Sequence, residues 1–159
     1  MGNYELVINK TFPGEELNPH LQTGTGSFDF LFISSYLAKY KGFGFNTDVV
    51  YKINTKNKND FLFANRLNVT SSFFYSKKIK SLTLLPSVGG YLEQAKMDLD
   101  HHNPVMDSGG NVLFTIFGLD IYYKNVSVNV NYQIATIEHL NGEQHNQNRI
   151  ILGLNYAFN

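Results

Sequence analysis

The chain has 159 residues, 13 basic and 13 acidic side chains, no Cys, no Trp, 13 Phe and 10 Tyr. With 43% apolar residues at zero net charge it can bury a core, which excludes a disordered chain, and no run approaches the ~18 apolar residues of a membrane helix. Balanced charge argues against nucleic acid as a partner, and the missing Cys removes disulfides, thiolate metal ligands and thiol nucleophiles together.

Period-two alternation recurs along almost the whole chain, with no convincing i, i+3, i+4, i+7 apolar pattern, so the spacing predicts an all-β fold in one domain, residues 1–159. A weak first strand is expected over Tyr4–Thr11. The next, Phe28–Tyr40, places Phe28, Phe30, Phe32, Tyr36 and Tyr40 on one face. Phe43–Asn54 opposes Phe43, Phe45, Val49, Tyr51 and Ile53 to Asn46, Asp48, Lys52 and Asn54. Phe61–Tyr75 sets Phe61, Phe63, Leu67, Val69, Phe73 and Tyr75 against Arg66, Asn68, Thr70 and Ser72. Leu82–Met97 and Gly110–Tyr123 are mixed, and Pro86 with Gly89-Gly90 predicts a bend or bulge in the first of them. Val126–Ile134 alternates most cleanly, with Val126, Val128, Val130, Tyr132 and Ile134 opposed to Ser127, Asn129, Asn131 and Gln133. The closing strand alternates Ile150, Leu152, Leu154, Tyr156 and Phe158 with Ile151, Gly153, Asn155 and Ala157, bringing the strand count to about eight.

Connections alternate in length. Lys41-Gly42, Ser76–Ser81 and Lys124-Asn125 are short, whereas Phe12–Ser27, Thr55–Asp60, Asp98–Gly109 and Ala135–Gln147 are longer. Outer-membrane barrels have short periplasmic turns and long external loops, and strands of roughly 9–11 residues suffice to cross a bilayer. The expectation is therefore an antiparallel up-and-down transmembrane β-barrel with both termini on the short-turn side. A soluble lipocalin-like barrel alternates as well, but with its apolar face inward. Composition favours the membrane form. Only 16% of residues are charged, against roughly 25% in soluble domains, and the polar face is mostly Asn, Ser, Thr and Gln. Aromatics also gather toward strand ends, at Phe28, Tyr40, Phe43, Phe61, Tyr75, Tyr122, Tyr123, Tyr156 and Phe158, where interfacial girdles belong. Met1–Glu5 has neither a basic n-region nor an apolar h-region, so an outer-membrane location expects a mature or truncated chain.

The segment Leu21-Gln22-Thr23-Gly24-Thr25-Gly26-Ser27, followed by Phe28-Asp29-Phe30-Leu31, resembles the GTGS-containing strand start of the outer-membrane barrels grouped under the MetA pathway of phenol degradation, a family of transporters. Leu84–Gly89, Asp107–Gly110, Asn141–Gln144 and Arg149–Phe158 match in the same order, so the resemblance spans residues 20–159. Family members are longer, with a signal peptide and further strands before the GTGS motif, and the chain is similar to the C-terminal portion of one. Its last residue is Asn159, with Phe158 penultimate, where the barrel-assembly machinery usually reads a terminal aromatic. The resemblance implies a bacterial outer-membrane location, lipid and the assembly machinery as partners, and transport of a small, unidentified solute.

On the polar face, Asp48, Lys52, Arg66, Glu93, Asn129 and Asn131 are the candidate lumen-lining residues, able to pair or to line a pore. All five His, at 20, 101, 102, 139 and 145, are expected in external loops, with Asp98, Asp100, Asp107, Glu138 and Glu143 beside two of the clusters. His and carboxylates suit zinc, copper or nickel, but lipid-facing positions exclude His, so loops collect it without any metal; His101-His102 lacks a regular ligand spacing. Ser108 or Ser27 with a loop His and Asp would be the material of a surface esterase, yet no motif brings them together. Gly24 and Gly26 precede a strand and lack a P-loop Lys, so they serve backbone curvature rather than phosphate binding. The expected function is passive transport of small solutes, with no cofactor and no catalysis. The alternatives are a non-conducting barrel whose loops bind a ligand, metal or partner, and a soluble lipocalin-like carrier.

Overall fold

The computed structural model describes residues 24–158, which form β structure without a helix. In chain order the strands are β1 (Asp29–Tyr40), β2 (Phe43–Asn54), β3 (Phe61–Leu62), β4 (Arg66–Tyr75), β5 (Lys77–Ile79), β6 (Leu82–Ala95), β7 (Leu99–Asp100), β8 (Asn103–Pro104), β9 (Gly110–Tyr123), β10 (Val126–Leu140) and β11 (Arg149–Tyr156). Seven long strands make one antiparallel meander, β1-β2-β4-β6-β9-β10-β11, with β5 continuing β4 along β6. Among the described residues β1 and β11 are edges, not paired with each other. The strand expected over Tyr4–Thr11 lies outside the described residues.

Three hairpins set the register. Tyr40 faces Phe43, Ile79 faces Leu82 and Tyr123 faces Val126, so each turn has two residues. Lys41 and Gly42 both have positive φ, 47° and 88°, the type I′ form whose twist matches that of the flanking strands. At the other end the connections are long and carry a second small sheet, β3-β7-β8.

The register places side chains on two faces of opposite character. Asp48, Thr70, Tyr91 and Phe114 follow one another across β2, β4, β6 and β9 on one face, and Asn129, Asp120 and Leu85 align on it further along. The other face carries Phe45, Phe73, Val88, Phe117 and Tyr132, also in register. The first face is concave. Arg149 of β11 lies 4.2 Å from the Phe114 ring of β9, and Lys39 of β1 lies 5.7 Å from the Phe74 ring of β4, so side chains two strands apart meet across it. The core sits there too, with Phe114 fully buried and Val112 and Ile116 beside it. On the convex face Phe117 is 50% and Leu152 72% exposed.

Several expectations change. Phe61–Tyr75 is not one strand. The chain leaves the main sheet at Ala64-Asn65, where Asn65 Oδ1 accepts the Asn54 amide and the Ala64 amide donates to Asp98, so Phe61 pairs with Asp100 in the small sheet. Of the bend or bulge expected at Pro86 and Gly89-Gly90, the bulge is not there: β6 holds unbroken register with β9. Pro86 lies opposite the stretch between β4 and β5, where the ladder is interrupted and Ser76 N donates to Gly42 O, a place at which a Pro is tolerated. The irregularity falls on β10, between Ala135 and Ile137, and that strand runs on to Leu140. His139 is therefore a strand residue, not a loop residue.

Candidate functional site: the concave face and its long-loop mouth

All six residues expected on the polar face share the concave face. Lys52 is opposite Arg66, Asp48 opposite Thr70, and Glu93, from a strand whose alternation is mixed, lies between Asn68 and Val112. Asn129 pairs with Asp120 and Gly153, and Asn131 with Gly118 and Ile151. The two Asn carboxamides fill the space that Gly153 and Gly118 leave, for a Cβ on either glycine would collide with them.

The face holds more than one group of charges. Lys52 Nζ is 2.9 Å from Asp29 Oδ2, and the hydroxyls of Thr25 and Ser27 donate to the same carboxylate at 2.9 and 3.1 Å. This is the local work of the GTGS segment. Gly24 and Gly26, with φ of 90° and 68°, let the chain turn so that Thr25 and Ser27 reach Asp29 from the same side. Asp48 accepts hydrogen bonds from Ser35 at 2.6 Å and Asn46 at 2.8 Å.

Toward the long connections, Arg66, Glu93 and Arg149 line a cleft of about 180 Å³ together with His145 and Asn146. Tyr91 donates to Glu93 at 3.2 Å, and its ring stacks on Phe114 with centroids 6.0 Å apart. Arg149 covers the opposite side of that cluster and donates to Asn146 Oδ1 at 2.8 Å. The cleft thus offers two guanidinium groups and one carboxylate at the mouth of the concave face, floored by aromatic rings. Sequence reasoning missed Arg149, Asp29 and Tyr91. Arg149 is the first residue of its strand, in register with Gln133 of the polar row, and that parity was the available signal.

The long-loop mouth is tightly built. Asp98 is buried and accepts the Ala64 amide at 2.7 Å, while its own amide donates to Ser108 Oγ at 2.8 Å. Ser108 in turn donates to Val105 O at 2.6 Å and is 3% exposed, which leaves it no role as a nucleophile. Ser27 is committed to Asp29. Asp98, expected beside a His cluster, is a structural acceptor.

The histidines do not converge. His101 Nδ1 is 2.8 Å from Asp100, His102 Nε2 is 3.0 Å from Lys56 Nζ, and His145 Nδ1 is 3.3 Å from Glu138. The ammonium at His102 occupies the lone pair that a metal would take. Among the described residues no three His, Asp or Glu side chains are grouped to hold an ion, and His20 lies outside them. Lys56 also donates to Asp60, and that hydrogen bond and charge hold the Asp60 carboxyl below the usual aspartate range.

A second cleft, of about 460 Å³, opens between the small sheet and the main sheet, lined by Tyr51, Phe63, Leu67, Met97 and Leu99. Compared with known proteins, the chain matches no family model, no curated protein and no solved structure.

Proposed function

We propose that the chain is a transmembrane β-barrel of the bacterial outer membrane that lets small solutes pass along its polar concave face. The observation that carries this reading is the inversion of the two faces. The main-sheet side chains removed from solvent, Asn54, Val112, Phe114, Ile116 and Gln133, are on the face with Asp48, Lys52, Arg66 and Asn129, while Phe117, Leu152, Leu154 and Phe73, at 50–73% exposure, form the face turned outward. In water an exposed apolar sheet of this breadth is a liability; in lipid it is the required surface. A lipocalin-like carrier needs the opposite arrangement. The strand lengths support the same reading, since 12 residues at ~3.4 Å each, tilted by ~40°, span about the ~30 Å of a hydrocarbon core. Closure of the barrel would supply the partners that β1 and β11 lack among the described residues. The transporter assignment draws on the resemblance of the GTGS, LLPSVG and RIILGLNYAF segments to the family named above, and the Arg66–Glu93–Arg149 mouth supports it by presenting charge to an entering solute.

A non-conducting barrel is favoured by one feature. Phe114, Tyr91 and Arg149 fill the concavity beneath the cleft, as side chains do in narrow barrels. Conductance in planar bilayers separates the two readings: single-channel steps that change ion selectivity in Arg149→Gln support a pore, and a silent bilayer containing folded protein supports the filled barrel.

The membrane reading itself is tested by Phe117→Arg. In lipid, Arg near the midplane costs ~2–4 kcal/mol, so heat-modifiable gel migration and denaturant titration in lipid vesicles will register a large loss of folded protein. Phe117 is half exposed, so a soluble β-protein would tolerate the change, and full folding of the variant in buffer alone would refute the proposal.

A further inference from the structure

We propose that the short-turn end is a docking surface for anionic phospholipid headgroups, with Lys41, Lys77, Lys78, Lys80 and Lys124 as a cationic rim. The inference rests on the membrane-barrel reading and adds the lipid chemistry that one end selects. All five lysines are exposed and cluster in and beside two of the two-residue hairpins and the Lys124-Asn125 turn, so the topology brings them to one end of the sheet. No described carboxylate pairs with any of them. The nearest acid in register, Asp120, lies on the concave face opposite Leu85 and Asn129. The other end is mixed, with Asp60, Asp98, Asp100, Asp107, Glu138 and Glu143 among Lys56, Lys58 and Lys96.

A ring of unpaired cations calls for an anionic partner, and the residues next to it point to lipid. Tyr40, Phe43, Tyr75 and Tyr123 stand exposed on the convex face at the strand ends directly beside these turns. Amphipathic rings of this kind settle at the boundary between acyl chains and headgroups, which sets the adjoining ammonium groups at the level of the phosphates. Lys41 and Lys124 already lie 5.1 and 5.4 Å from the rings of Tyr40 and Tyr123, so cation and ring act as one unit.

The chain has no Trp, so its fluorescence is that of Tyr, and three of the ten Tyr belong to this belt. The experiment folds the full chain in phosphatidylcholine vesicles, confirms folding by heat-modifiable migration, and measures Tyr quenching as brominated phosphatidylglycerol or brominated phosphatidylcholine replaces the host lipid. The expected result is a preference for phosphatidylglycerol of about fivefold or more at low salt, the effect of roughly one well-placed Lys, that falls toward unity in molar salt. The preference should vanish in Lys41→Gln/Lys77→Gln/Lys78→Gln/Lys80→Gln/Lys124→Gln and persist when the same five become Arg. Equal quenching by the two lipids in folded wild type, or a preference that survives the five Gln substitutions, overturns the proposal. Should the Gln variant not fold, the salt dependence in wild type decides alone. A chain that shows no heat-modifiable band and folds in buffer overturns the barrel reading and this inference with it, which separates the two failures.

Discussion

The two ends of the sheet are held by different means. At the short-turn end, backbone torsion does the work: two-residue loops, with Lys41, Gly42, Lys80 and Lys124 at positive φ, reverse the chain with almost no side-chain hydrogen bonding. At the long-loop end, side chains do it, for Asp98, Ser108, Asn54, Asn57 and Asn141 knit three connections together. A turn fixed by local torsions is written in two adjacent residues, whereas a loop fixed by partners 10–34 residues away exists only once the strands have assembled. The first should form early and tolerate changes elsewhere; the second should depend on the whole sheet.

Among changes at the two ends of the sheet, Asp98→Ala should have the largest effect. It removes a buried carboxylate that accepts the Ala64 amide, at a cost of ~1.5–3 kcal/mol, and faster limited proteolysis within residues 96–109 with the β-sheet circular dichroism unchanged would locate the damage at the loops. Loss of the short-turn end in parallel would break the contrast. Gly42→Ala is expected to cost ~1–2 kcal/mol, because φ is 88° and a Cβ would stand 3.0 Å from the Tyr75 ring; denaturant titration should find whole-sheet destabilisation with loop proteolysis unchanged relative to global unfolding. Ser108→Ala should follow at ~1 kcal/mol, again confined to the loop end, since both hydrogen bonds of its hydroxyl stay within residues 98–108.

The smallest effect concerns Lys56 and Asp60. Because the carboxyl is held below its ordinary value, its contribution to loop order is full above about pH 4 and is lost as pH falls through the depressed value. In an NMR titration Lys56→Met should return the Asp60 midpoint toward that of an unperturbed aspartate. An unchanged midpoint would assign the shift to His101 and His102 instead, the lesser contributors.

Much of the strand pattern was legible because alternation and hairpin residues are local signals. Gly110–Tyr123 is found with the expected bounds, and Phe43–Asn54 likewise. Where alternation continued across a break, the sequence misled: Phe61 and Phe63 match the parity of Leu67, yet the Asn54–Asn65 and Ala64–Asp98 hydrogen bonds divert the chain into a second sheet. The six polar-face candidates share one face because parity carries through register. Arg149, Tyr91 and Phe114 were not legible as a cluster, for they come from three strands and meet only because the sheet curls.

The amino-acid order alone specifies a β protein whose Phe43–Asn54, Val126–Ile134 and closing strands carry one apolar and one polar face, since a period of two is a property of each extended segment. It determined the tight turns as well. The assembled sheet settles which face is concave, that Asp98 and Ser108 tie the long connections together, and that five lysines separated by up to 83 positions come to one end. Curvature and convergence depend on how strands stack in register, and no single segment carries that information.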